Sequence, residues 1–258
     1  GSKRVLLTMV PNDERTGVVF GVASGVPSLG GNNAQKREHD RKLGQGTMSR
    51  AGAWCPCCGK PDTVAMESGD LRAEAAAGRM AARMTAVVVD GPAGEEYRLP
   101  TELELAVSSP SEDEIQKTFA DIPFGVPDEA VAQGGSRQTG GSPFTAHLYG
   151  LTTWRALFTG RQLIALGCIV GATRQVAGAV HAGHPHEGWA ASGYLAMAAD
   201  RLADYNSAIC NWDPNGEYIT HSFQRFALPI KWDFCEVNPL GDTTGNYVGG
   251  IEWVARFV

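Results

Sequence analysis

A proline- and glycine-rich stretch in the middle of the sequence limits what the chain can fold into. Residues 107–146 contain three prolines ahead of the run QGGSRQTGGSP, which occupies residues 133–143. A segment of this composition buries too little apolar surface to fold by itself. It therefore predicts a flexible linker over residues 107–146, between a module at residues 1–106 and a second module at residues 147–258.

The first module has the pattern of short strands with a few helices. Four apolar, β-branched runs predict strands, at residues 3–10, 17–23, 84–90 and 95–99. The Ala-, Glu- and Arg-rich residues 70–83 predict a helix. Thr101, followed three residues later by Glu104, has the spacing of a capping box and predicts the start of a short helix.

The second module has the pattern of helices. Thr159 can cap a helix over residues 160–180, whose apolar residues on most faces predict that it is buried. Residues 188–210 repeat apolar side chains at three- and four-residue spacing, which also predicts a helix. Residues 251–258 begin a further helix. The fold class predicted from both modules is α+β, with a β-rich module followed by a mainly helical one.

Three of the six cysteines stand together in the run CPCCG at residues 55–59. Cys55 and Cys58 have the spacing of a zinc knuckle, in which two thiolates hold one metal ion. A structural zinc needs four ligands, and the sequence has no second Cys-x-x-Cys pair, so the pattern predicts a zinc half-site. His39 is a possible third ligand. The alternative is a remnant or an oxidisable thiol cluster, and Cys57 should point elsewhere.

Charge is distributed unevenly along the chain. The formal net charge is −6, which argues against a wholly basic nucleic-acid-binding protein. Residues 1–60 nevertheless carry nine Lys and Arg against four Asp and Glu, a local charge of +5. A basic front in an acidic chain suggests segments with separate roles. A solvated loop is the simpler alternative for that front.

No complete catalytic constellation is visible in the sequence, so no catalytic residue is predicted. The phosphate-binding loop, the Gly-x-Ser-x-Gly elbow and the His-Glu-x-x-His zinc motif are all absent. Residues 181–187 contain three histidines, but they join two predicted helices and are expected to form a solvated loop. Asp204, Asp233 and Glu236 have no visible acid–base partner, so capping and core hydrogen bonds are their expected roles.

Location is predicted from the absence of targeting signals. The sequence opens without a signal-peptide pattern and has no run of 18 uncharged apolar residues. A cytoplasmic protein with no membrane partner is therefore expected.

Three blocks of the second module are distinctive. They read YGLTTWRALFTGRQL at 149–163, DRLADYNS with CNWD within 200–213, and WDFCEVNP with IEWV within 232–254. With CPCCG and the block LRAE…GRM at 71–80, they resemble the large bacterial and archaeal adenine-specific DNA methylases that contain a zinc ribbon. Such methylases often accompany phage-defence genes.

The resemblance implies methylation of adenine N6 in DNA with S-adenosylmethionine as the methyl donor. It also implies that this chain is the middle of such an enzyme and is inactive alone. The cofactor loop and a first zinc knuckle are expected before residue 1, and the Asp-Pro-Pro-Tyr catalytic motif after residue 258. A strand beginning near residue 1 and a helix ending inside an apolar run favour the same view.

A segment between cofactor loop and catalytic motif would hold the duplex while a base is extruded. Its expected partners are double-stranded DNA and the remaining segments of the methylase. The predicted DNA-binding residues are Lys36, Arg37, Arg41, Lys42, Arg155, Arg161 and Arg225. Two other interpretations remain open: a stand-alone zinc-knuckle module that binds nucleic acid or protein, and an inactive fragment of a broken gene.

Overall fold

The computed structural model describes residues 4–49, 52–58, 66–92, 94–132, 144–213, 216–223 and 227–257. The chain forms two compact units, Gly1–Ser108 and Ser109–Val258. The described residues contain seven α-helices and four two-stranded antiparallel sheets. The predicted α+β class is therefore confirmed, and the zinc knuckle within it stays a prediction.

Hairpins supply the strands of the first unit. Strand β1 (Val5–Pro11) pairs with β2 (Val18–Ser24), so both strands predicted at this end of the chain are present. The side chain of Asn12 closes the hairpin, because it accepts hydrogen bonds from the amides of Thr16 and Gly17 at 2.9 and 3.1 Å. The other pairs are β3 (Met48–Ser49) with β4 (Gly52–Ala53), and β5 (Val87–Gly91) with β6 (Gly94–Arg98).

The helices of the first unit start at capping boxes. They are α1 (Asn33–Leu43), α2 (Ser68–Ala76) and α3 (Glu102–Val107). Thr101 and Glu104 exchange the two hydrogen bonds expected of a capping box, at 3.2 and 2.7 Å. Helix α2 is shorter than the predicted helix at 70–83, because Gly78 has a φ of +69° and the chain leaves the helix there.

Few side chains of the first unit are buried. Among its described residues only Ala75 and Ser108 are buried. Leu7, Val10 and Val19 of the first hairpin are between 45% and 53% exposed. Hydrogen bonds within hairpins and helix caps therefore hold the described part of this unit more than a hydrophobic core does.

The second unit is built around two long helices. Helix α5 (Gly160–Gly183) and α6 (Pro185–Tyr205) pack along each other, and α7 (Tyr247–Ala255) packs on α6. Its remaining elements are helix α4 (Glu112–Phe119) and strands β7 (Asn211–Asp213) and β8 (Tyr218–Thr220). Ile169, Leu202 and Cys210 form the centre of one buried cluster with Ile219 and Val237.

The structure differs from the predicted flexible linker at 107–146. Helix α4 lies in that segment, and its Ile115 and Phe119 are buried against Leu163 of α5. The prediction followed the prolines and glycines and overlooked Ser111 with Glu114, a capping box that starts α4. Apolar residues four positions apart then face α5. The glycine-rich residues 133–143 lie outside the described part of the chain.

Helix α5 begins as predicted, because the Thr159 side chain accepts a hydrogen bond from the Gln162 amide. It is less buried than predicted: its buried residues are Gln162, Leu163, Gly167, Ile169 and Ala177.

By length and composition alone α5 could cross a membrane, which is weak evidence because the core helix of a folded domain passes the same test. The cytoplasmic location and the lack of a membrane partner stay predictions.

Candidate functional site

The four basic residues predicted in the front of the chain lie on helix α1, which buries none of its residues. Arg41 Nη2 lies 2.7 Å and Lys42 Nζ 3.7 Å from Glu38 Oε1, so both side chains form ion pairs with the same carboxylate. Within the described residues, the side chains of Lys36 and Arg37 form no ion pair or hydrogen bond. These two cations are the ones on α1 most free to meet a phosphate.

An ion pair fastens α1 to the first hairpin. Arg4, directly before β1, pairs with Asp40 of α1, and His39 Nδ1 lies 3.3 Å from the same carboxylate. The Arg4 guanidinium holds the pKa of the Asp40 carboxyl below its usual value. The contact orients α1 on the hairpin. It also gives His39, the possible third zinc ligand, a carboxylate partner.

The cysteine cluster forms a turn whose amides point at one sulfur. Pro56–Cys58 is a single turn of 3-10 helix. Hydrogen bonds from the backbone amides of Cys58 and Cys57 lower the pKa of the Cys55 thiol. The Cys57 thiol donates to the Gly17 carbonyl at 3.3 Å. Its side chain also hydrogen-bonds with that of Cys55, so the expectation that Cys57 points elsewhere stays a prediction. Cys55 and Cys58 are both exposed.

This turn suits two of the four ligands of a structural zinc. Amides directed at a thiolate are the supporting contacts that metal-bound sulfur uses. Within the described part of the chain, no group of three or more His, Cys, Asp or Glu side chains could hold a metal ion. Among the described residues Cys55 and Cys58 therefore lack two of the four ligands, and the zinc half-site stays a prediction.

Two of the predicted DNA-binding arginines are held by carboxylates of the second unit. Arg155 donates to both carboxylate oxygens of Glu112 at 2.9 and 2.6 Å, and this lowers the pKa of Glu112 to about 2. Arg161 donates to Glu236 from Nε at 2.6 Å and from Nη2 at 2.5 Å. Forked pairs of this kind fix geometry. Each arginine thus has a structural partner, and its DNA contact stays a prediction.

Arg225, the last predicted DNA contact, lies outside the described residues. Close to it in sequence, three side chains form a hydrogen-bonded chain at the end of α6. His221 Nδ1 lies 2.6 Å from Asp204 Oδ2, and His221 Nε2 lies 2.6 Å from Tyr205 Oη. Asp204 also accepts from the Phe223 amide at 2.8 Å. Burial raises the pKa of the Tyr205 hydroxyl. Asp204 is therefore the hub that holds the segment after β8 on α6.

A buried polar cluster lies behind this hub. Ser222 Oγ lies 2.7 Å from Ser207 Oγ and 3.1 Å from Cys210 Sγ, and it donates to the Asp204 carbonyl at 2.7 Å. Burial raises the pKa of the Cys210 thiol. Both serine hydroxyls are paired, and Cys210 is fully buried. These contacts close the core rather than form a nucleophilic centre.

The sequence carries Asp204 but gives no sign of its partner. His221 stands 17 residues away, and neither the helical period of α6 nor a motif links them. The β7–β8 hairpin returns the chain to the end of α6 and brings them together. A short strand pair directly after a helix is the one local signal that could have suggested this return.

Comparison with protein-family models, with curated proteins and with solved structures finds no match.

Proposed function

We propose that this chain is the DNA-recognition and scaffold segment of an S-adenosylmethionine-dependent adenine-N6 DNA methyltransferase. The observation that carries the proposal is that the three blocks resembling this family contact one another in a single unit. Tyr149 and Trp232 stack edge to face with ring centres 5.3 Å apart. Arg161 of the first block pairs with Glu236 of the third.

The middle block joins the same contacts. Leu202, Tyr205 and Cys210 share a buried cluster with Val237 of the third block. The residues that are distinctive in sequence thus pack against one another or form ion pairs inside the unit. A scaffold requires such contacts, so they favour a structural role for these residues over a catalytic one. The chain has no glycine-rich cofactor loop, so no step of methyl transfer is assigned to its residues.

DNA binding is assigned to α1, where Lys36 and Arg37 are exposed and unpaired within the described residues. We expect the double variant Lys36→Glu, Arg37→Glu to bind duplex DNA at least about tenfold more weakly at low salt. The dependence of log K on log salt should become shallower by about 2, since each lost phosphate contact removes about one unit. Fluorescence anisotropy of a labelled duplex at several salt concentrations measures both quantities.

The matched control is Lys117→Glu with Arg256→Glu, which changes the net charge equally at two exposed residues of the second unit. An unchanged salt slope in the α1 variant would remove α1 from the interface.

Methyl transfer is measured separately, with tritiated S-adenosylmethionine as the methyl donor. Transfer to the duplex is expected only when segments with the cofactor loop and the Asp-Pro-Pro-Tyr motif are supplied. Transfer by this chain alone would contradict the scaffold role.

Zinc binding by Cys55 and Cys58 is the second part of the proposal, and the amides directed at Cys55 support it. The same observation suits the alternative of a stand-alone zinc-knuckle binding module. We expect metal analysis of protein purified under reducing conditions, with a segment carrying the proposed first zinc knuckle supplied, to find zinc. The variant Cys55→Ser, Cys58→Ser should lose it, and Cys168→Ser, at an exposed cysteine of α5, should retain it. Equal metal content in all three proteins would exclude the site.

A further inference from the structure

A cleft of about 380 Å³ opens between α5 and α6, near the corner that joins them. Small residues line its floor, Ala177 and Gly178 on α5 and Gly188 on α6. At Gly188 the two helices approach so closely that a Cβ atom would lie 2.4 Å from His181 Cα. The close approach fixes the walls of the cleft, and the small floor residues leave it open.

The walls carry a cation and an aromatic ring with free surface. Arg174 and His181 lie on one face of α5, seven residues or roughly 10 Å apart. Arg174 is exposed and forms no hydrogen bond or ion pair with any described residue. Trp189 of α6 meets His181 edge to face, with ring centres 5.6 Å apart, and is still 73% exposed.

One nitrogen of His181 is committed and the other is available. His181 Nδ1 lies 3.2 Å from the carbonyl of Pro185, which can only accept, so Nδ1 carries the proton. In the neutral ring Nε2 is then an acceptor. No described residue hydrogen-bonds to it. The cleft thus offers a flat apolar surface, one acceptor beside that surface, and a guanidinium two helical turns away.

We propose that this cleft binds one unstacked nucleotide of single-stranded DNA. The base stacks on the indole of Trp189, an exocyclic amino group donates to His181 Nε2, and the phosphate pairs with Arg174. Exposed aromatic rings beside basic side chains are the general means of holding unpaired bases. The choice of DNA as the polymer rests on the proposed function. A free mononucleotide offers the same chemistry, so the test distinguishes the two.

The test is binding of a fluorescein-labelled twelve-residue deoxyadenosine strand, followed by anisotropy. Trp189→Ala should weaken binding about tenfold, and Trp189→Phe, which keeps a stacking ring, by less than about threefold. Arg174→Gln should weaken binding several-fold and flatten its salt dependence. Val176→Ala changes a side chain of α5 that is 54% exposed and does not line the cleft, so it should have no effect. Thermal melting checks that each variant is folded.

Equal affinity of Trp189→Ala and the unchanged protein would overturn the proposal. Competition with unlabelled dAMP distinguishes a site for single-stranded DNA from a site for a free mononucleotide. Failure of millimolar dAMP to displace the strand supports a site for polymer, and displacement at micromolar dAMP would overturn the assignment to DNA. The duplex-binding assay on the double variant Lys36→Glu, Arg37→Glu tests the proposed function independently of the cleft. If only the duplex assay responds, the cleft proposal fails and duplex binding by α1 stands. If only the Trp189 variants respond, the cleft proposal stands and α1 is removed from the duplex interface.

Discussion

Replacing Leu202 with alanine is expected to destabilise the second unit by about 2–5 kcal/mol. Leu202 is 1% exposed and packs against Ile169 of α5, Ile219 of β8 and Val237. The substitution removes methyl groups from the place where the α5–α6 pair meets the rest of the unit. Because helices on both sides are fixed, the space can collapse only in part, which adds a cavity term to the lost burial.

Met197 provides the matched control for this experiment. It lies on the same helix and is 52% exposed, so Met197→Ala should change the free energy of unfolding by less than about 1 kcal/mol. Denaturation in urea, followed by tryptophan fluorescence and circular dichroism, measures both variants, and Trp212 packs against the affected cluster. Equal stability losses in the two variants would show that Leu202 is not in a packed core.

Asp204→Ala is expected to cost about 2–3 kcal/mol. The change removes the acceptor of the His221 ring at 2.6 Å and of the Phe223 amide at 2.8 Å. Hydrogen bonds to a charged group contribute about 1.5–3 kcal/mol, and stranded donors add to the loss. The side chains of Asp204 and His221 are 24% and 36% exposed, so water recovers part of it and places the effect below that of Leu202→Ala.

Two further variants make the Asp204 result specific. Asp204→Asn keeps one acceptor oxygen and should fall between alanine and the unchanged protein. Asp200→Ala removes an exposed carboxylate one turn earlier on α6 and should be close to neutral. Chemical denaturation gives the free energies, and the histidine signals in an NMR spectrum report whether His221 moves. A loss at Asp200 as large as that at Asp204 would argue against the hub.

The parts of this fold that could be predicted are those encoded by neighbouring residues. Thr101 with Glu104 and Thr159 with Gln162 each satisfy the first turn of a helix within four residues. The alternating residues of β1 and β2 pair across a short turn. In such cases the partners lie within the sequence window from which the pattern is read, so the start of a helix or the existence of a hairpin follows directly.

The parts of the fold and of the site that could not be predicted depend on residues far apart in the chain. Docking of α4 requires Gly167 on α5, where a Cβ would lie 2.8 Å from the Phe119 ring, and no local pattern marks that fit. Arg161, a predicted DNA contact, pairs with Glu236, 75 residues away, and no local pattern marks that partner. His221 and Trp189 carried no signal of their own, since their roles come from the hairpin and corner that position them.

A single residue, His184, separates α5 from α6, and this sets the order in which the second unit can fold. Contacts near the corner, such as that of His181 with Trp189, join residues close in sequence, so closing them loses little chain entropy. Local pairings of this kind form faster than those that join distant segments. During synthesis residues 160–205 leave the ribosome before residues 232–254 do, so the helical pair is the part of the unit that can form first. Glu236, Val237 and α7 can then pack against the helical pair.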